Sequence, residues 1–194
     1  MNNSIEKGNS DGLIDFRAIK GRNKLKQFLR IHFFINPIVH LFRGYVLDIG
    51  CGNGEYLEQY TGPHLGIDAL ESNIKICNSK GIEAIKSDAN LFIMEETFDT
   101  VLMSHVLEHL EKPEIVISNA CHSVKKGGHL IIILPCFEGF VSGLNEQVGH
   151  KQFVTEEYVE PLLKEFNFRK VKSYKFPPFF GGKYKEVRLI FEKK

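Results

Sequence analysis

The stretch VLDIGCGNGEYL, residues 46–57, constrains the fold of this chain more than any other. An apolar, strand-like run enters Gly50-x-Gly52-x-Gly54, and the spacing predicts a helix over 55–60. Glycine permits positive φ and lets a backbone come close to a ligand. A helix N-terminus behind the turn favours negative charge, such as a ligand carboxylate. In an open parallel sheet, ligands sit at the carboxyl ends of the strands. The same turn also serves as a plain strand-to-helix corner, so it needs support from the rest of the chain.

That support is a regular alternation. Strand-like runs at 44–50, 64–68, 81–88, 100–104 and 129–135 alternate with helical patterns at 55–60, 71–79 and 113–126. Pro113 opens the last helix and Gly127 follows it. This order predicts right-handed crossovers and a mostly parallel sheet. FRKVKSYKF (168–176) and EVRLIFEKK (186–194) have no helix between them, so they are expected to pair antiparallel at one sheet edge. Pro161 lies inside the preceding helical pattern, so that helix is expected to start or kink there.

Composition excludes several classes. With 194 residues the chain suits one domain, here 13–194, behind a polar tail (1–12) expected to be disordered. A net charge of +1 gives no global field for nucleic acid. Cys51, Cys77, Cys121 and Cys136 show no paired spacing, which fits a reducing, cytoplasmic setting. No apolar run approaches the ~20 residues of a membrane span. FRAIKGRNKLKQFLRIHFF (16–34) interleaves basic and apolar residues. It reads as part of an N-terminal helical cap (13–43), and such a helix can also lie on an anionic membrane surface.

Acids fall in register after the glycine turn. Asp48 precedes it by two residues, Asp68 ends the second strand and Asp88 ends the third. An acid at the second strand's end can accept two ribose hydroxyls, and one at the third can accept from an adenine amine. Position 55 is Glu where a dinucleotide fingerprint needs Gly, which disfavours a nicotinamide oxidoreductase.

In this order the motifs resemble the class I S-adenosylmethionine-dependent methyltransferases. The likeness is strongest to small-molecule enzymes such as those of quinone biosynthesis and glycan clusters. The resemblance implies an α/β Rossmann-like three-layer sandwich. Its sheet would have seven strands in order 3-2-1-4-5-7-6, with strand 7 antiparallel. It implies S-adenosylmethionine as cofactor, held by Asp48, Gly50, Cys51 and Gly52 at the methionine portion and by Asp68 at the ribose. Ala69, Leu70, Asp88 and Ala89 would surround the adenine, and Ser104 would also belong to the cofactor site. The activity implied is methyl transfer to an O or N nucleophile of a small-molecule acceptor, with no nucleic acid. A methyltransferase-like binding module without turnover is the alternative.

The segment after the fourth strand, SHVLEH (104–109), also fits the zinc pattern H-x-x-E-H. A zinc site needs a third ligand, and no other histidine has the spacing to supply one, so no metal is expected. The candidate bases are His105 and His150, because histidine titrates near neutrality. Ser-His after the fourth strand, in place of Asn/Asp-Pro-Pro-Tyr/Phe, argues against nucleobase amines and glutamine amides as acceptors. Cys136 after Pro135 reads as a buried thiol or, less simply, a nucleophile. Phe137, Phe140, Phe179 and Phe180 could line an acceptor pocket or pack under loops.

Overall fold

A computed structural model describes residues 24–136, 151–176 and 186–194. Seven strands form one sheet: β1 (Val46–Ile49), β2 (His64–Asp68), β3 (Ala84–Lys86), β4 (Phe98–Ser104), β5 (Val124–Pro135), β6 (Phe168–Phe176) and β7 (Glu186–Lys193). Their order is β3-β2-β1-β4-β5-β7-β6. Pairs among β3, β2, β1, β4 and β5 are parallel, whereas β7 runs antiparallel to both β5 and β6. The expected topology is therefore present.

Side chains alternate across the sheet and divide the core into two layers. Val101, Met103, Leu130, Ile132 and Leu134 face one cluster, and Leu102, Ile131 and Ile133 face the other. Helix α4 (Pro113–Ser123) and α5 (Glu156–Glu165) bury Val116, Ile117, Val159 and Leu163 in the first. Helix α3 (Glu71–Ser79) and the N-terminal helices bury Ile74, Cys77 and Ile38 in the second. The N-terminal part runs through α1 (Lys24–Arg30), a π-helical turn (Ile31–Ile35) and α2 (Asn36–Val39).

Two expectations change. The helix predicted over 55–60 is a series of turns ending in a 3₁₀ segment, Leu57–Gln59. Gly54 on one side and Gly62-Pro63 on the other leave too few residues to nucleate an α-helix. Helix α5 starts at Glu156, where Thr155 Oγ1 accepts from the Tyr158 N–H, and Pro161 lies inside it. Pro161 and the residue four before it, Glu157, are both exposed, so the carbonyl freed by proline faces water.

Candidate active site

The glycine turn adopts the conformation its composition calls for. Gly50, Gly52 and Gly54 have φ of 70°, 55° and 76°. A Cβ at Gly50 would stand 2.5 Å from Val106 Cγ2, and one at Gly54 would stand 2.6 Å from Ile82 Cδ1. At Gly50 the turn is thus pressed against the segment after β4 and at Gly54 against the end of α3 and Ile82, with no room for a side chain at either.

Asp68 holds this turn from the end of β2. Its Oδ2 accepts the Gly52 N–H at 2.9 Å. Its Oδ1 accepts the Leu70 N–H at 2.8 Å and Asn73 Nδ2 at 3.1 Å. The acid therefore holds the residue before α3 and the Asn73 side chain in its first turn as well as bracing the glycines. Beneath them Asp48 is 1% exposed, and its Oδ2 has no hydrogen-bond partner. Burial, reinforced by Cys77 and Asp68, raises the Asp48 carboxyl well above the usual range. The thiols of Cys51 and Cys77 converge on the Gly52 carbonyl, and Gly66 on β2 makes room for Cys51. Contact with Cys77 and burial push the Cys51 thiol up, so it is inert packing.

The adenine-side residues sit more loosely. Strand β3 ends at Lys86, so Asp88 lies just beyond it, exposed, with Oδ1 accepting from the Asn90 N–H and Nδ2. Ala89 is half-buried and its carbonyl accepts from Asn119 Nδ2, while Ala69 is exposed.

At the carboxyl end of β4 is a chain of charges. Ser104 Oγ donates to the Tyr56 hydroxyl at 3.2 Å. His105 follows with φ of 54°, a left-handed conformation rare outside glycine and often tied to function. Its Nδ1 lies 3.1 Å from Glu108 Oε1 and its Nε2 lies 3.3 Å from Glu186 Oε2. Glu108 is fully buried and its Oε2 has no partner. Glu186 in turn accepts Arg188 Nε at 2.6 Å. Arg188 is fully buried, stacks 3.9 Å from the centre of the Phe176 ring and donates to the Phe34 carbonyl. Burial opposes a charged imidazole, but Glu108 and Glu186 outweigh it and raise His105 to about 9. Burial likewise opposes the Glu186 carboxylate, yet His105 and Arg188 hold it below its ordinary range.

The geometry excludes the shared helical face that a zinc helix needs. Residues 107–109 form a single 3₁₀ turn and His105 precedes it, so the two histidines do not stack on one helix. His150, Phe137, Phe140, Phe179 and Phe180 lie outside the described residues. Sequence reading missed Tyr56, Glu186 and Arg188. The signal for the last two was available: EVRLIF places opposite charges at i and i+2, on one face of an otherwise apolar strand.

Comparison with known proteins adds a family match over part of the chain. Residues 47–132 match the methyltransferase domain model. Over that part of its length the chain is similar to methyltransferases, and its fold is that of S-adenosylmethionine-dependent ones. An uncharacterized protein of Methanocaldococcus jannaschii is 29% identical over 69% of each chain. A ubiquinone biosynthesis O-methyltransferase of Vibrio cholerae is 30% identical over 70% of this chain and 56% of its own length. The chain thus spans little more than half of that relative. Magnesium protoporphyrin IX methyltransferase of Synechocystis, solved with S-adenosylhomocysteine, shares the fold with a TM-score of 0.71. It is 19% identical, and the match covers 93% of this chain and 93% of that one.

Proposed function

We propose that this protein moves a methyl group to an oxygen or nitrogen nucleophile of a small-molecule acceptor. One observation carries the reading: the paired histidine of the Glu108–His105–Glu186–Arg188 chain leaves β4 immediately before Val106, which packs against Gly50. An acceptor-facing charge cluster and a ligand-cradling turn therefore share one sheet edge.

The residues fit the cofactor. The buried, unpartnered Asp48 oxygen suits an ammonium group, and the side-chain-free backbone of Gly50 and Gly52 suits close approach of the methionine portion. Asp68 already accepts three bonds, two on Oδ1 and one on Oδ2, which leaves a lone pair of Oδ2 for a ribose hydroxyl. When bound, S-adenosylmethionine supplies an activated methyl on a sulfonium, so the protein's share is positioning, water exclusion and proton handling.

Glu108, sealed from solvent, fixes the His105 ring through Nδ1. The longer contact, Nε2 to Glu186, is the one an acceptor hydroxyl would replace. Arg188 then keeps Glu186 ionised as it is displaced. With a pKa near 9, His105 takes a proton only from its small neutral fraction at pH 7, so the base becomes more available as pH rises. The ubiquinone relative supports an oxygen acceptor on a small molecule.

The test is incorporation of labelled methyl from S-adenosylmethionine into phenolic and amine acceptors, beside calorimetry with S-adenosylhomocysteine. Binding together with label transfer supports the proposal. Binding without transfer to any acceptor in a metabolite extract favours a silent binding module.

A further inference from the structure

The most exposed apolar side chains near the glycine turn lie on the N-terminal helices. None of the residues of α1 is buried. Phe28 is 62% exposed, Leu29 41% and Phe33, in the π-helical turn, 53%. Phe28 stacks on His32, which meets Phe33 edge-on, giving an outward aromatic strip. The helix is held from its other side, where Arg30 pairs with Glu55 at the glycine turn. A helix this short is not stable by itself in water, and it gains stability when an apolar face is covered.

Charge identifies the cover. Between Asp15 and Asp48 the sequence has seven Lys or Arg residues and no acid, although the whole chain carries only +1. Lys24 and Lys26 are exposed, Lys24 one turn before Phe28, and among the described residues Arg30 is the α1 cation paired with an acid. A second copy would bring the same cations face to face, so self-pairing is opposed by like charge. An anionic bilayer satisfies both features: phenyl and leucyl groups enter the headgroup–acyl boundary while lysines meet phosphates. No helix among the described residues is long and apolar enough to cross a membrane, so the contact is one of surface docking.

We propose that the face of α1 and its π-helical turn bearing Phe28, Leu29 and Phe33 docks on an anionic phospholipid surface. The proposal goes beyond methyl transfer and is read without turnover.

The full chain is co-sedimented with phosphatidylcholine vesicles, with and without phosphatidylglycerol, at low and at molar salt. Binding should require phosphatidylglycerol and weaken in salt. The variant Phe28→Ser with Phe33→Ser, and separately Lys24→Glu with Lys26→Glu, should each lower partitioning by about tenfold or more. Unchanged melting temperatures confirm that the fold is kept. The control Lys126→Glu with Lys172→Glu has the same net charge as the lysine variant and should bind as the parent does. Failure to bind, equal binding to neutral vesicles, parental binding by both helix variants, or an equal loss in the control overturns the proposal. So does a wild-type dimer that the phenylalanine variant abolishes while vesicles are ignored, which assigns the face to a second copy.

Discussion

The Gly52 amide donates to Asp68 Oδ2 across 2.9 Å, tying the turn after β1 to the end of β2. Removing the carboxylate therefore does more than delete a ribose contact. Each charge-assisted hydrogen bond lost costs about 1.5 to 3 kcal/mol. Asp68→Ala should weaken S-adenosylhomocysteine binding by about tenfold or more and also lower the melting temperature of the free protein. Asp68→Asn can still accept from Gly52 but sets its amide nitrogen against the Leu70 N–H, so it should recover only part of the melting temperature and not the affinity. Calorimetry and thermal unfolding on the two variants separate these effects. Parental affinity in Asp68→Ala would falsify the ribose assignment.

At Gly50 the obstacle is twofold: φ is 70°, and a Cβ would meet Val106 Cγ2 at 2.5 Å. Left-handed backbone costs a non-glycine residue about 1 to 2 kcal/mol, and the clash adds to it. Gly50→Ala should therefore unfold at lower urea. Adding Val106→Ala should restore the part due to the clash and leave the part due to backbone strain. If the second substitution restores nothing, the clash is not what excludes a side chain there.

Much of this fold was legible because its signals are local. Strands β2 and β6 and helix α3 match their sequence-predicted bounds residue for residue, each limited by glycine, proline or a capping turn. The glycine turn and Asp68 at the end of β2 were legible for the same reason, whereas Asp88, expected to end the third strand, lies beyond β3, which stops at Lys86. The 55–60 segment misled because its helical composition is cut short by Gly62-Pro63. The charge chain was hidden for a different reason. Glu186 reaches His105 only through the antiparallel register that sets it opposite Pro135, a contact between residues 81 positions apart. No local pattern encodes that distance.

Asp48 should report cofactor binding through protons. Burial raises its carboxyl pKa, and an arriving ammonium favours the ionised form. Binding of S-adenosylhomocysteine near neutral pH should thus release protons. Calorimetry in buffers of different ionisation enthalpy measures the number released. Asp48→Asn should abolish this linkage. Equal buffer dependence in Asp48→Asn and the parent would move the ammonium site elsewhere.

Arg188 neutralises Glu186 in a place where neither meets much water. Breaking a buried pair from one side leaves an uncompensated charge and costs about 3 to 5 kcal/mol. Arg188→Leu should lose about that much stability in urea unfolding. Replacing both partners with leucine should recover a large part of it, since two apolar groups can fill the same space. A double variant as unstable as Arg188→Leu alone would show that the loss comes from packing against Phe176 rather than from the stranded carboxylate.

The His105 imidazole ties stability and activity to the same titration. Its folded pKa of about 9 lies above the ordinary value of 6.5. A raised histidine stabilises the fold fully below its unfolded pKa, and the contribution is lost as pH rises through the folded one. Stability should therefore decline between pH 6.5 and about 9. With 41% of the side chain exposed, solvent screens the pair, and the decline should be about 1 to 2 kcal/mol rather than the full nominal shift. Glu186 acts at the other end: its lowered pKa gives stability that is present above the ordinary carboxylate range and lost on acidification. His105→Gln should flatten the alkaline decline. If His105 is also the base, kcat/KM in the parent should climb with pH and level off near 9, because that ratio reports the free enzyme. His105→Gln should remove the climb while S-adenosylhomocysteine affinity stays. A variant that loses the stability slope but keeps the rate profile would make His105 a positioning residue and assign the proton to another group.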